Sequence, residues 1–194
     1  MLLAYGDLNL PTNVPANQYI LIKGEKASAS RGVGKNLNDY LDEWNPDSLR
    51  YALASILPEQ NDSEISEDEM IRRNNEELVA AWGNLVQRVF SQYINNFENL
   101  EFDFELNDVD KKIIDEGNDC FEKTGELIEK VELKSSLQSV MGYVNKINAY
   151  LNETEPWKVI KEDSTRATAI LHTSLTAIEA CASLFTPFMP TTSE

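Results

Sequence analysis

Several features that point to particular classes of protein are scarce in this sequence of 194 residues. It has two cysteines, Cys120 and Cys181, and neither stands at metal-ligand spacing from another cysteine or a histidine. A zinc site is therefore not expected. No apolar run approaches the roughly 20 residues that cross a bilayer, and the segment Met1 to Tyr5 lacks the basic region of a signal peptide. We expect a cytoplasmic protein with no metal and no membrane partner.

Positive charge is also scarce, with 17 lysines and arginines against 33 acidic residues and a net charge of −16. An excess of this size argues against non-specific binding of nucleic acid, which needs a basic surface. The charge is unevenly distributed, because Lys23, Lys26, Arg31 and Lys35 stand close together with Glu25 as their one acidic neighbour. A local basic strip can still bind an anion.

Polar loop residues and short elements are predicted for the first part of the chain. The aromatic and β-branched run from Gln18 to Ile22 predicts a strand, and a loop rich in glycine and serine follows it. Short helices are predicted over Leu37 to Leu41 and Asp47 to Ser55.

From Ser66 onward the apolar residues recur at helical spacing, and Ser66 with Glu69 has the spacing of a capping box. Four helices are predicted: the first to about Ile94 with Leu78, Trp82, Leu85 and Val89 inward; Asp108 to Val131 with Ile113, Ile114, Phe121, Leu127 and Ile128; Leu133 to Leu151 with Leu137, Val140, Met141, Val144 and Ile147; and Asp163 to Phe185 with Ile170, Leu175, Ile178 and Phe185. Short connections between long amphipathic helices predict an all-α fold, an antiparallel helical bundle. We divide the chain into two parts: residues 1–60, which carry the glycine- and serine-rich loop, and residues 61–194, which form the bundle.

The first candidate site is the loop from Lys26 to Arg31. A lysine with the hydroxyls of Ser28 and Ser30 on a glycine-flanked loop suits the binding of phosphate. By residue type alone, a solvated surface loop is the favoured interpretation, because such loops are common.

The second candidate site lies in the helical part. Asn84 and Arg88 are four residues apart and so share one helix face, and Trp157 follows Pro156. An amide, a guanidinium and an indole are suited to single-stranded bases, which they can hydrogen-bond and stack on. The alternative is a surface pair on a helix and a tryptophan that covers the end of the bundle.

Several segments, taken together and in order, resemble the methionyl-tRNA synthetase family of class I aminoacyl-tRNA synthetases. They are Val14-Pro15-Ala16-Asn17-Gln18-Tyr19, Lys26-Ala27-Ser28-Ala29-Ser30-Arg31, Trp44-Asn45-Pro46-Asp47-Ser48-Leu49-Arg50-Tyr51, Arg72-Arg73-Asn74-Asn75-Glu76-Glu77-Leu78, Trp82-Gly83-Asn84-Leu85 and Glu155-Pro156-Trp157-Lys158. The set covers nearly the whole chain.

The resemblance implies an aminoacyl-tRNA ligase that attaches methionine to tRNA(Met) using ATP. Lys26, Ser28 and Ser30 would belong to the signature loop that handles ATP. Ala29 stands where many members have a second lysine, and Ala27 replaces a larger apolar residue. Asn84, Arg88, Pro156 and Trp157 would read the CAU anticodon.

The family's nucleotide-binding half, with its His-Ile-Gly-His type motif, is not in this sequence. We therefore expect a carboxyl-terminal piece that recognises the anticodon and does not form methionyl-adenylate alone. Two alternatives stay open: a helical scaffold domain with an accidental likeness, and the corresponding domain of another class I synthetase. The pair Pro156 and Trp157 argues against the second.

Overall fold

The computed structural model describes residue 6 and residues 8–194, so the expectation drawn from Met1 to Tyr5 concerns residues outside the described part. In chain order the elements are β1 (Ile20–Ile22), β2 (Glu25–Lys26), α1 (Leu37–Glu43), α2 (Pro46–Ser55), β3 (Ser63–Glu64), α3 (Glu67–Arg73), α4 (Asn84–Asn95), α5 (Asp108–Glu129), α6 (Leu133–Thr154), α7 (Pro156–Val159) and α8 (Ser164–Phe185). Helical turns of the 3₁₀ type cover Ala29–Arg31 and Phe97–Asn99, and a π-helical segment covers Asn74–Gly83. The fold is all-α, as predicted.

The three strands form a small sheet in the order β2-β1-β3. Strand β1 is antiparallel to β2 and parallel to β3. Lys23 and Gly24 form the two-residue turn of the hairpin, and both have positive φ, 52° and 77°, as a type I′ turn requires. The predicted strand is confirmed for Ile20–Ile22. Strands β2 and β3 were not predicted, because two-residue strands are too short to show an alternating pattern.

Helices α1 and α2 confirm the two short helices predicted from the sequence. Asn45 caps α2, with its side chain accepting a hydrogen bond of 2.9 Å from the backbone N–H of Asp47. Pro46 at the first helical position fits because no N–H is needed there. These helices share a small core with α3, and its buried members are Leu49, Ala52, Ile56 and Met70.

Helix α3, the π-helical segment and α4 continue into one another through helical backbone at Asn74 and Asn84. The Ser66 hydroxyl accepts a hydrogen bond from the Glu69 N–H, as predicted. The Glu69 carboxylate instead binds the guanidinium groups of Arg72 and Arg73, so the reciprocal half of the predicted capping box is not formed.

Helices α5, α6 and α8 pack against one another, α4 packs against α8, and together the four helices form the bundle. The predicted inward face of α6 is confirmed, since all five of its residues are buried. Phe121 on α5 was predicted to point inward and is 42% exposed. Ile113 is buried as predicted. The buried positions that follow it on α5 are the smaller Gly117, Cys120 and Thr124, because close contact with α6 leaves no room for an aromatic ring.

Helix α8 is long and apolar enough to span a membrane by length and composition, with 61% of that window buried inside the protein. Its buried residues, among them Ile170, Ile178 and Phe185, contribute to the main core. The composition of α8 is thus accounted for by its position in the core of the bundle.

Side chains of the amino-terminal part bind directly to the bundle. Asp47 Oδ2 accepts hydrogen bonds from the backbone N–H (2.6 Å) and hydroxyl (2.7 Å) of Thr192. The Arg50 guanidinium donates to the carbonyl oxygens of Phe188 (3.0 Å) and Pro187 (2.8 Å). The Glu59 carboxylate accepts from the Ser135 hydroxyl at 2.9 Å, at the first turn of α6. These contacts fix the loop-bearing part on the bundle.

A pair of glycines on α5 provides a matched test of this packing. A Cβ atom added to Gly117 would lie 2.6 Å from the Tyr143 hydroxyl, whereas one added to Gly125 would meet nothing within 4 Å. We expect Gly117→Ala to lower the free energy of unfolding by about 1–3 kcal/mol, and Gly125→Ala to raise it by about 0.5–1 kcal/mol. Urea denaturation measures both, and equal effects would contradict the close approach of α5 and α6.

Candidate functional site

The predicted phosphate loop follows the β1–β2 hairpin. Lys26 is the last residue of β2, and its ammonium nitrogen lies 3.4 Å from the centroid of the Tyr19 ring. The Ser28 and Ser30 hydroxyl oxygens are 3.2 Å apart. Arg31 donates a hydrogen bond of 3.2 Å to the carbonyl oxygen of Lys26. The structure therefore brings Lys26, Ser28 and Ser30 into one exposed turn.

The charges around this loop are partly neutralised. Lys35 binds Glu43 at 2.5 Å and Glu67 at 3.1 Å, and the hydrogen bond with Glu43 raises the pKa of Lys35 above its ordinary value. None of the described carboxylates lies within 4.0 Å of the Lys26 ammonium nitrogen. Within the predicted basic strip, Lys35 therefore forms ion pairs with nearby carboxylates, and Lys26 forms none with the described residues.

The second candidate site lies where α4, α6 and α7 meet. The Arg88 guanidinium carbon is 5.3 Å from the centroid of the Trp157 ring, within the range of a cation–π contact. An Arg88 N–H also donates a hydrogen bond of 2.8 Å to Asn152 Oδ1. We call Asn84, Arg88, Asn152 and Trp157 the Arg88–Trp157 cluster.

Each member of the cluster has a local structural cause. Glu155 takes a left-handed conformation (φ 41°, ψ 57°) after α6, and Pro156 then begins α7 with its ring buried. This turn places Trp157 half-buried against the main core. Asn84 is exposed one helical turn before Arg88, so the two predicted polar side chains do share one face.

Asn152 was not among the residues predicted from the sequence. It lies on α6 four residues after Asn148, whose amide nitrogen donates to the Ala81 carbonyl oxygen at 3.1 Å. The spacing of four between two asparagines on one helix was the signal available. Without knowledge of which helix packs beside α4, that signal could not be connected to Arg88.

The cluster offers several groups to a ligand. The hydrogen bond to Asn152 uses one Arg88 nitrogen, and no other hydrogen bond of the guanidinium to a described residue is formed. The Asn84 amide and part of the Trp157 indole are exposed as well. The Arg88 guanidinium contacts the Trp157 ring, and the Asn84 amide lies one helical turn from Arg88. Groups of these kinds can hydrogen-bond and stack with an unpaired base. Among the described residues no group of three or more His, Cys, Asp or Glu could hold a metal ion.

Two family models match this chain. One, described as tRNA synthetases class I (M), matches residues 1–90. The other, the anticodon binding domain of methionyl tRNA ligase, matches residues 103–194. The Arg88–Trp157 cluster draws residues from both matched stretches.

Proteins with a similar sequence are methionine–tRNA ligases. A methionine–tRNA ligase of Chloroflexus aggregans is 39% identical over 187 residues, covering 96% of this chain and 31% of that protein. One of Roseiflexus castenholzii is 38% identical over 194 residues, covering 100% of this chain and 33% of that protein. The chain thus spans about a third of the length of these relatives.

Solved structures share the fold. Mycobacterium tuberculosis methionyl-tRNA synthetase in complex with methionyl-adenylate has a TM-score of 0.82 and 22% identity, covering 92% of this chain and 36% of that one. Its apo form has a TM-score of 0.84 and 21% identity, covering 99% of this chain and 38% of that one.

Proposed function

Because the chain belongs to the methionyl-tRNA synthetase family, we propose that it is the part of a methionine–tRNA ligase that reads the CAU anticodon of tRNA(Met). The observation that carries this proposal is the Arg88–Trp157 cluster, in which the groups suited to an unpaired base lie together. In the whole protein, ATP and methionine are the further substrates, and the product is methionyl-tRNA.

The proposal assigns two regions to two tasks. Residues 1–60 carry the loop with Lys26, Ser28 and Ser30, which contacts the phosphates of ATP when the nucleotide-binding part of the enzyme is present. Residues 61–194 carry the anticodon-binding bundle. A cytoplasmic location is part of the same proposal, since translation takes place there.

The scaffold alternative predicts a different environment for the cluster. If Asn84, Arg88 and Trp157 had only a structural role, their side chains would be buried away from solvent. Asn84 is exposed, and Arg88 and Trp157 are half-buried. Because none of these three side chains is fully buried, their environment supports the anticodon proposal.

A binding experiment tests the proposal directly. We expect this chain to bind a tRNA(Met) anticodon stem-loop with the CAU sequence more tightly than one in which the cytosine alone is changed to uracil. Each mismatched hydrogen-bond pattern at a read base costs about 1–3 kcal/mol. Fluorescence anisotropy of labelled stem-loops at fixed salt measures the difference.

The salt concentration must be held constant because phosphate contacts weaken as it rises. The matched control is a stem-loop that keeps the CAU loop but has one base pair of the stem exchanged for another. It should bind as the original CAU form does. Equal affinity for the CAU and UAU loops would contradict the proposal.

A further inference from the structure

The contact between Lys26 and Tyr19 joins the proposed ATP loop to a residue with no assigned role. The ammonium nitrogen of Lys26 lies 3.4 Å from the Tyr19 ring centroid, well within the range of a cation–π contact. Tyr19 is 56% exposed, so its ring adds little to a hydrophobic core. An exposed aromatic ring at this place calls for another explanation.

The sheet holds both partners of this contact in place. The Tyr19 N–H donates to Asp62 Oδ1 at 2.9 Å, and the Tyr19 carbonyl oxygen accepts from the Ser63 N–H at 3.0 Å. Lys26 pairs with Leu21 across the hairpin. The backbones of Tyr19 and Lys26 are therefore fixed relative to each other before their side chains meet.

The choice of an aromatic partner matters in a chain with a net charge of −16. Lys35, nine residues later in the same segment, shows the usual outcome, since Glu43 and Glu67 both bind its ammonium group. A carboxylate competes with phosphate for a lysine, because both are anions that accept its hydrogen bonds. An aromatic ring fixes the ammonium group without neutralising it and leaves donors free for a phosphate oxygen.

We propose that Tyr19 is a positioning residue that holds the Lys26 ammonium ready for a phosphate group of the nucleotide. The inference rests on the proposed function, in which Lys26 contacts ATP. Tyr19 itself touches no substrate, and its hydroxyl has no part in the role. Phenylalanine should therefore replace it and leucine should not.

A spectroscopic experiment on this chain tests the contact itself. Protons above an aromatic face shift upfield, so we expect upfield ε-methylene signals of Lys26 in ¹H–¹³C spectra, assigned by their loss in Lys26→Arg. Tyr19→Phe should keep the shift and Tyr19→Leu should abolish it. Phe121→Leu, at another exposed aromatic residue, on α5, is the control and should leave it unchanged. Lys26 signals that are the same in the wild type and Tyr19→Leu would overturn the proposal.

A kinetic experiment on the full-length enzyme tests the role. In methionine-dependent ATP–pyrophosphate exchange, Tyr19→Leu should lower kcat/KM for MgATP by about two- to fivefold, the size expected of an exposed cation–π contact. Tyr19→Phe should restore the wild-type value. If the wild type catalyses exchange and Tyr19→Leu is fully active, the inference is wrong and the proposed function stands. If the wild type shows no such exchange, the proposed function fails and the inference fails with it.

Discussion

Replacing Asp110 with alanine should lower the free energy of unfolding by about 3–5 kcal/mol, the usual cost of removing one partner from a buried ion pair. Asp110 is fully buried and binds three elements of the bundle. Arg166 on α8 donates to its carboxylate at 2.9 Å, and the Tyr150 hydroxyl on α6 donates at 2.5 Å. The Asn107 N–H completes the capping box of α5 at 3.0 Å. One substitution therefore removes the polar link among α5, α6 and α8.

Urea denaturation of the variant measures this effect. Asp115→Ala is the matched control, since Asp115 is an exposed aspartate on the same helix, and we expect it to change the free energy by no more than about 0.5 kcal/mol. A loss below about 1 kcal/mol for Asp110→Ala would show that the network contributes no more than an exposed ion pair.

The ionisation of Asp110 also makes the free energy of unfolding depend on pH. Burial raises the pKa of Asp110, but the hydrogen bonds from Arg166, Tyr150 and the Asn107 backbone outweigh burial and hold the pKa below its ordinary value of 3.8. A carboxyl group with a lowered pKa in the folded state stabilises the fold above its unfolded pKa, and this contribution is lost as the pH falls through the folded pKa. The difference between the wild type and Asp110→Ala should therefore be constant near neutral pH and shrink below about pH 4.

The helices of the bundle could be predicted because each has a repeating apolar face and a clear beginning or end. The inward residues of α6 follow this pattern without exception. Phe121 breaks the pattern because the closest approach of α5 and α6 selects small residues such as Gly117, and an apolar period does not report how near the neighbouring helix lies. The π-helical segment before Asn84 has no distinctive residue pattern, so periodicity alone does not reveal it.

The sequence predicted the residues of the candidate site, but it did not predict the contacts between them. Arg88 and Trp157 are 69 positions apart, and their residue types suggest a shared task without showing that they touch. The contact depends on the left-handed turn at Glu155 and on the packing of α4 beside α6, which are tertiary features. The roles of Asn152 and Tyr19 were not predicted for the same reason. Each residue positions another side chain, and such a role can be recognised only when the tertiary contact between the two is known.

Replacing Trp157 with alanine should weaken binding of the CAU stem-loop by at least ~1 kcal/mol, since stacking of a base on an aromatic side chain contributes about 1–3 kcal/mol. The change removes the flat surface and also the partner over which Arg88 lies, at 5.3 Å from the ring centroid. Arg88 would keep its hydrogen bond to Asn152, so its charge remains near the site. The loss should therefore fall on stacking more than on the attraction of phosphate, and the salt dependence of binding should stay the same.

Three further variants separate stacking from the other contributions. Trp157→Phe keeps an aromatic face and should retain most of the affinity. Asn152→Ala removes only the hydrogen bond that holds Arg88, and its effect should be smaller than that of Trp157→Ala. Phe121→Ala, at an exposed aromatic residue on α5, should bind as the wild type does. Because Trp157 also packs on the core, circular dichroism must show that the alanine variant is folded. A folded Trp157→Ala protein with unchanged affinity would mean that no base stacks on this indole, and the Arg88–Trp157 cluster would then be a structural contact only.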